Sequence, residues 1–242
     1  GADSGTTFTD SSNTTRSRNT IIANGDVVNT RAQSKIGDSS IFFEDGVDDY
    51  LTIPNGYDFG TGDFTIEMWV KVTTPVNGGN IICSDTVNNG RIAADNSTTP
   101  WTTYFASGTS NPEGPSIDLW GDGGWHHVAV VRKTANSGQE MSLYIDGTEG
   151  TKVADTSTCD YTGYIFGHNF LTPAYEFNGY MTEIRVSSVA RYDGDFTPST
   201  TEFSSDSDTK LLIHGNWTGG IGGDTSGNFN DFAVTNLVAT DQ

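Results

Sequence analysis

GDFTIEMWVK, residues Gly62–Lys71, reads as a single strand of a β-sandwich. Behind the Gly62-Asp63 turn, Ile66, Met68 and Val70 alternate with Glu67, Trp69 and Lys71. That is the period of two by which a strand sends successive side chains to opposite faces of its sheet. The apolar set predicts a core-facing side. Trp69 then shares the other side with Glu67 and Lys71, where water is expected. Either a further layer covers this tryptophan, or it is a platform for a ligand.

Outward from this strand, the chain is punctuated by turns. Asn-Gly pairs begin at Asn24, Asn55, Asn77, Asn89 and Asn178, and Asp-Gly pairs at Asp45, Asp122, Asp146 and Asp193. Such pairs accept the positive φ of tight hairpins. Between them lie short β-type runs: Ser40–Phe43, Tyr50–Ile53, Phe64–Val72, Asn80–Cys83, Trp101–Ala106 and Ile117–Trp120. His126–Lys133, Met141–Ile145, Tyr164–Phe166, Glu176–Val186 and Lys210–Ile213 complete the series. No stretch keeps a helical period. The spacing predicts an all-β, antiparallel two-sheet sandwich.

Composition agrees. Of 242 residues only 34% are hydrophobic, but aromatics reach 11%, which excludes a disordered chain. The formal charge of -19 repels nucleic-acid phosphate and anionic membrane, so neither is expected as a partner. The acids are dispersed, which suits a solubility charge or loops that collect calcium. No apolar run is long enough to span a membrane. Cys83 and Cys159 could form one disulfide or remain two buried thiols. Gly1–Asn13 resembles Gly215–Asn228, as if the end of the chain restated its beginning.

Five motifs occur in order: SKIGDSSIFFEDGVDDYLTIP (Ser34–Pro54), FGTGDFTIEMWVKVT (Phe59–Thr73), GGWHHVAVVR (Gly123–Arg132), SLYIDGT (Ser142–Thr148) and FNGYMTEIRVSSVARY (Phe177–Tyr192). Together they resemble the laminin-G-like, concanavalin A-like jelly-roll superfamily, in the style of modules from phage tail or virion proteins and microbial adhesins. The resemblance implies two curved sheets with a concave front. Its members include glycan binders, holders of a structural calcium and polysaccharide-degrading enzymes, so fold alone does not choose a function. It covers about Thr7 to Phe203, so the expected division is a jelly-roll domain at 1–210, while the terminal repeat suggests a last strand and the start of a following module or linker at 211–242. The expected setting is a virion or cell surface, within a multidomain or multi-subunit assembly.

The residues argue against catalysis. Paired carboxylates on one strand face, needed by a retaining glycosidase, are missing: Glu67 is followed at its parity by Trp69 and Lys71, and Glu183 by Arg185 and Ser187. His126 and His127 are consecutive, so they point to opposite faces. A binding module is therefore expected, taking a glycan or a protein receptor, with a purely structural spacer and a polysaccharide-degrading enzyme as alternatives.

By parity, Trp69, Tyr144 and Arg185 are expected on the concave front, and Arg132 is counted with them as a ligand-binding candidate. Trp101, Tyr104 and Tyr175 lie in or beside polar loops and are the aromatics expected to be exposed there. For calcium, FEDGVDDY gathers Asp45, Asp48 and Asp49 into one turn. By resemblance, Asp10 belongs to an N-terminal calcium loop, and Glu183 matches an acid on the last strand. The competing reading of Asp45-Gly46 is a plain hairpin turn with solvated acids.

Overall fold

The computed structural model describes residues 4–5, 8, 10–12, 20–44, 48–54, 57–84, 90–108, 110–135, 138–160, 163–169 and 175–216. Asp45, the resembling terminal segments beyond these bounds and most of 211–242 lie outside them. Among the described residues every regular element is a strand. No helix there is long and apolar enough to cross a membrane.

The larger sheet runs in the order Ser4–Gly5, Val28–Thr30, Ser40–Phe43, Gly179–Ser187, Phe64–Val72, His126–Ala135, Gly138–Ile145, Thr148–Glu149. Val153–Asp155 pairs with Gly138–Ile145, and Thr209–Ile213 with Gly179–Ser187. The smaller sheet runs Thr102–Ala106, Arg91–Asp95, Asn80–Ser84, Tyr164–Phe166, Tyr50–Ile53, Ile22–Asn24. A short ribbon pairs Cys159–Asp160 with Asp58–Gly60. The expected two-sheet antiparallel sandwich is the observed one.

Phe64–Val72 lies between its two longest neighbours. Its register sets Ile66 opposite Val130 and Val186, and Met68 opposite Val128. These residues join Phe43, Leu51, Phe105, Phe166 and Ile184 in one interior cluster between the sheets. Each such buried side chain contributes about 1.5–3 kcal/mol, so this layer dominates stability.

Three local expectations need correction. Ile117–Trp120 is not a strand: Leu119 and Trp120 are buried, but the backbone closes on itself through Leu119 N–H to Ile117 O at 2.9 Å. Arg91–Asp95 is a strand that RIAAD, with one bulky apolar residue, does not announce. In Gly179–Ser187 a bulge intervenes, so that Thr182 stands opposite Trp69 and Arg185 opposite Glu67. Glu183 takes up the extra residue at φ 54°, which breaks the plain alternation of this strand.

Residues 188–208 then fold back over the outer face of the larger sheet. Ala190, Tyr192 and Phe196 pack on Ala129, Val131 and Tyr144 in a second apolar cluster. Thr65 Oγ1 donates to Val189 O (2.8 Å) and accepts from Arg191 N–H (2.9 Å). Phe196 N–H donates to Gly147 O (2.8 Å), at a two-residue turn with positive φ at Asp146 and Gly147. A Cβ on Gly147 would collide with the Phe196 carbonyl, so the glycine serves both the turn and the cover.

Candidate functional site

Trp69 is covered too, but by Lys35 and its neighbour in the sheet. The indole is 5% exposed, its ring meets His127 edge-on at 5.4 Å, and Lys35 Nζ lies 4.3 Å above it. Tyr144 is 2% exposed and donates to Glu149 Oε1 (2.7 Å); burial and the adjacent Glu149 carboxylate raise its pKa to about 12. Arg185 is buried against Glu67, with Nη2 2.6 Å and Nε 2.8 Å from Oε1. The expected open front bearing Trp69, Tyr144 and Arg185 is thus corrected to a roofed face. Alternation cannot report a layer supplied by a distant loop.

Arg132 is corrected as well. It points into the protein, where Nε donates to Gly62 O (2.7 Å), Nη2 to Gly60 O (2.8 Å) and Nη1 to Ser157 O (3.1 Å). Asp155 Oδ2 lies 3.3 Å from Nη1, with both side chains fully buried. Nη1 also reaches Cys159 Sγ at 2.9 Å. Both cysteines are buried, and Cys83 Sγ donates to His168 O at 3.2 Å.

Among the described residues, the acids expected for calcium do not assemble as one set. Asp10 Oδ1 accepts from Ser12 N–H (2.9 Å) and Leu212 N–H (3.0 Å), tying the N-terminal loop to Thr209–Ile213 directly. Asp49 accepts from Asp26 N–H (2.5 Å) on one oxygen and Glu44 N–H (2.8 Å) on the other. Burial raises its pKa despite those two donors. Glu183 meets His214 Nδ1 at 2.8 Å and accepts from Phe203 N–H at 2.6 Å. Of the described four, Asp48 alone joins a cluster of ligand-type atoms, and its companions are His168 and Glu176, which sequence reasoning missed.

The loop rim differs in character. Tyr175 is 41% exposed, while Trp101 is half-buried against the core. Tyr104, also half-buried, accepts from Arg91 Nη2 at 3.0 Å. Tyr175 O accepts from Asn80 N–H at 3.2 Å. Its ring lies on Gly78, where a Cβ would come within 3.0 Å of two ring carbons. Gly78 N–H donates to Ala94 O (3.1 Å), and Asn77 Oδ1 accepts from Asn96 N–H (3.1 Å), which locks the two turns beside the ring.

The paired histidines also separate as expected from parity. His127 lies under the cover, with Nε2 3.3 Å from Glu67 Oε2. His126 Nδ1 lies 2.7 Å from Asp146 Oδ2, and Nε2 3.0 Å from Asp122 Oδ1. Burial pushes the His126 pKa down, but the two carboxylates outweigh it and the net direction is up. His214 is raised likewise, with Glu183 outweighing burial. A folded pKa above the unfolded value of about 6.5 adds stability fully below that pH and loses it as pH rises through the folded pKa. Melting temperature should therefore fall as pH rises above about 6.5, and His126→Gln should flatten that slope. Equal slopes for wild type, His126→Gln and His214→Gln would contradict the assignment.

No curated protein matches the chain. Among solved structures, domain 4 of AbnA, a GH43 extracellular arabinanase from Geobacillus stearothermophilus in complex with arabinotriose, superposes with a TM-score of 0.53 at 19% identity. The match covers 76% of this chain and 85% of that one. The binding domain of botulinum neurotoxin DC in complex with rat synaptotagmin II gives 0.51 at 14% identity, over 72% of this chain and 44% of that one. A botulinum neurotoxin type C structure, whose cell uptake depends on two ganglioside molecules, gives 0.51 at 15%, over 73% and 45%. The chain thus spans under half of those toxin structures. At such identities the shared property is the fold. The description Laminin_G_3, concanavalin A-like lectin/glucanases superfamily, matches residues 45–197, from the Asp48 turn into the cover. With its strands in the expected order within that span, the chain belongs to the concanavalin A-like lectin/glucanase superfamily.

Proposed function

We propose that this chain is a non-catalytic carbohydrate-binding module whose sugar platform is the rim around Tyr175, displayed on a virion or cell surface. The observation that carries the reading is the pinned, exposed ring. Among the described residues Tyr175 and Ile22 are the exposed large hydrophobics, and Tyr175 is the aromatic one. Its floor is Gly78 and its backbone is held by Asn80, so little freedom is lost when a ligand stacks on it. A flat ring against a sugar's C–H face, with amide and carboxylate groups at its side, is the chemistry of glycan recognition. Asn77 and Asn96 lie on the flanking turns, and Asp95 ends the strand before Asn96.

The relatives support the class, since one was solved with arabinotriose and another concerns gangliosides. Absence of bond-breaking chemistry is supported by Glu67 and Glu183, which are fully buried and held by Arg185 and by His214 with Phe203 N–H. A protein receptor is the second reading. It draws on the relative bound to synaptotagmin II and on Ile22, 43% exposed at the edge of the smaller sheet.

A glycan array followed by titration calorimetry tests the reading. Tyr175→Ala should weaken the best hit about tenfold, the equivalent of about 1.4 kcal/mol, and leave the melting temperature unchanged. Tyr175→Phe should keep most of the affinity. An array without a specific hit, or equal affinity for Tyr175→Ala, would remove Tyr175 from the site.

A further inference from the structure

Three segments that are distant in sequence meet at one edge of the sandwich. Asp48 lies on the turn before Tyr50–Ile53, His168 follows Tyr164–Phe166, and Glu176 precedes Gly179–Ser187. Tyr164–Phe166 pairs with Tyr50–Ile53, which brings His168 beside Asp48. Gly167 makes the approach feasible: it holds φ 94°, and a Cβ there would come within 3.0 Å of Asp49 O. Phe177 N–H donates to Gly167 O at 2.8 Å and so draws Glu176 in from the other side.

One ligand atom from each of the three residues lies within 4.8 Å of the others. His168 and Glu176 are each 8% exposed. The deciding atom is His168 Nε2, which is buried without a hydrogen-bond partner among the described residues. The facing carboxylate, Asp48 Oδ1, stands 3.6 Å away, beyond hydrogen-bond range. An unsatisfied buried nitrogen is a costly arrangement in the metal-free protein, and a cation between the three groups relieves it. His126 provides the contrast: it too sits between two aspartates, but both of its ring nitrogens are already bonded. The Tyr50 ring, 5.1 Å from the His168 ring, walls one side.

We infer that Asp48, His168 and Glu176 form a binding site for one divalent transition-metal ion, Zn²⁺ being the best fit. An imidazole nitrogen with two carboxylates suits borderline metals, whereas Ca²⁺ and Mg²⁺ prefer oxygen alone. Three protein ligands leave a coordination position for water. The ion would clip the turn before Tyr50–Ile53 to the strand ends at His168 and Glu176. The proposal does not depend on sugar binding.

Zn²⁺ titration of the metal-free full chain, with melting curves, decides it. Wild type should bind one Zn²⁺ tightly and melt about 5 °C higher at a hundredfold excess over Kd. His168→Ala and Glu176→Gln should each lose at least tenfold in affinity and most of the shift. Because a -19 chain attracts any cation weakly, Ca²⁺ at the same concentration should give a much smaller shift. If His168→Ala folds poorly, zinc-edge X-ray absorption on wild type should show one imidazole in the shell. An all-oxygen shell, an equal Ca²⁺ effect, or unchanged Zn²⁺ affinity in His168→Ala would each overturn the assignment.

Discussion

Arg132→Ala is expected to destabilise the protein by about 3–5 kcal/mol and to lower its melting temperature by roughly 10 °C. The guanidinium lies inside the sandwich, fully buried, 4.9 Å above the Phe64 ring. It donates to the carbonyls of Gly60, Gly62 and Ser157, and meets the buried Asp155 carboxylate. One side chain thereby fastens His126–Ala135 to the Gly60–Gly62 loop and to residues 155–159. Removing it leaves three acceptors unanswered and a carboxylate without its cation. The Ser157 and Ser107 hydroxyls on Asp155 Oδ1, at 2.7 Å and 3.2 Å, cannot replace that charge. Arg132→Lys should recover little, because an ammonium cannot span acceptors arranged for a planar fork. Arg132→Ala with Asp155→Ala should cost less than the sum of the single changes, since the stranded carboxylate has gone. A loss under about 1 kcal/mol for Arg132→Ala in urea denaturation would sink this account.

Such a clamp is the kind of feature a sequence hides. Arg132 follows Val128 and Val130 at the same parity, and that parity already pointed inward. A charged side chain is nevertheless more often solvated than enclosed, whatever its parity. Parity alone settled the layering of Ile66, Met68 and Val70, because two-residue alternation is a local property of the backbone. The roof over Trp69 is not local. Lys35 reaches over its ring from far upstream, and residues 188–208, where polar residues surround Tyr192, Phe196 and Phe203, cover the neighbouring His127 and Tyr144. Three aromatics within so polar a run were the available signal that this loop packs on something. The Asp48, His168 and Glu176 grouping is less legible still, since it depends on three strands meeting across 128 residues of chain, from position 48 to 176. Of its members, only Asp48 carried a recognisable acidic context.

Glu67→Ala should loosen the roof itself. Glu67 is fully buried, and its two oxygens answer different layers: Oε1 takes Arg185, and Oε2 accepts the Tyr192 hydroxyl at 2.6 Å. Arg185 in turn lies 4.1 Å over the Phe203 ring, so this ion pair holds both ends of the cover to the sheet. Burial alone would raise the Glu67 pKa, but His127, Arg185 and Tyr192 together hold it below the ordinary carboxylate value. A depressed folded pKa contributes stability above the unfolded value of about 4.3 and loses it as pH falls through the folded one. Glu67→Gln should therefore flatten the acid limb of the stability curve. Glu67→Ala should cost about 3–5 kcal/mol by leaving Arg185 buried and unpaired. Native-state proteolysis should then cut within 188–208 many-fold faster than in wild type, since fraying there no longer requires breaking the pair. Replacing both partners, Glu67→Leu with Arg185→Met, should restore much of the loss, because desolvating two charges nearly cancels their attraction. An unchanged cleavage rate in Glu67→Ala, together with an acid limb as steep in Glu67→Gln as in wild type, would mean that the cover is held by its aromatic packing on Tyr144 and His127 and not by the buried charge.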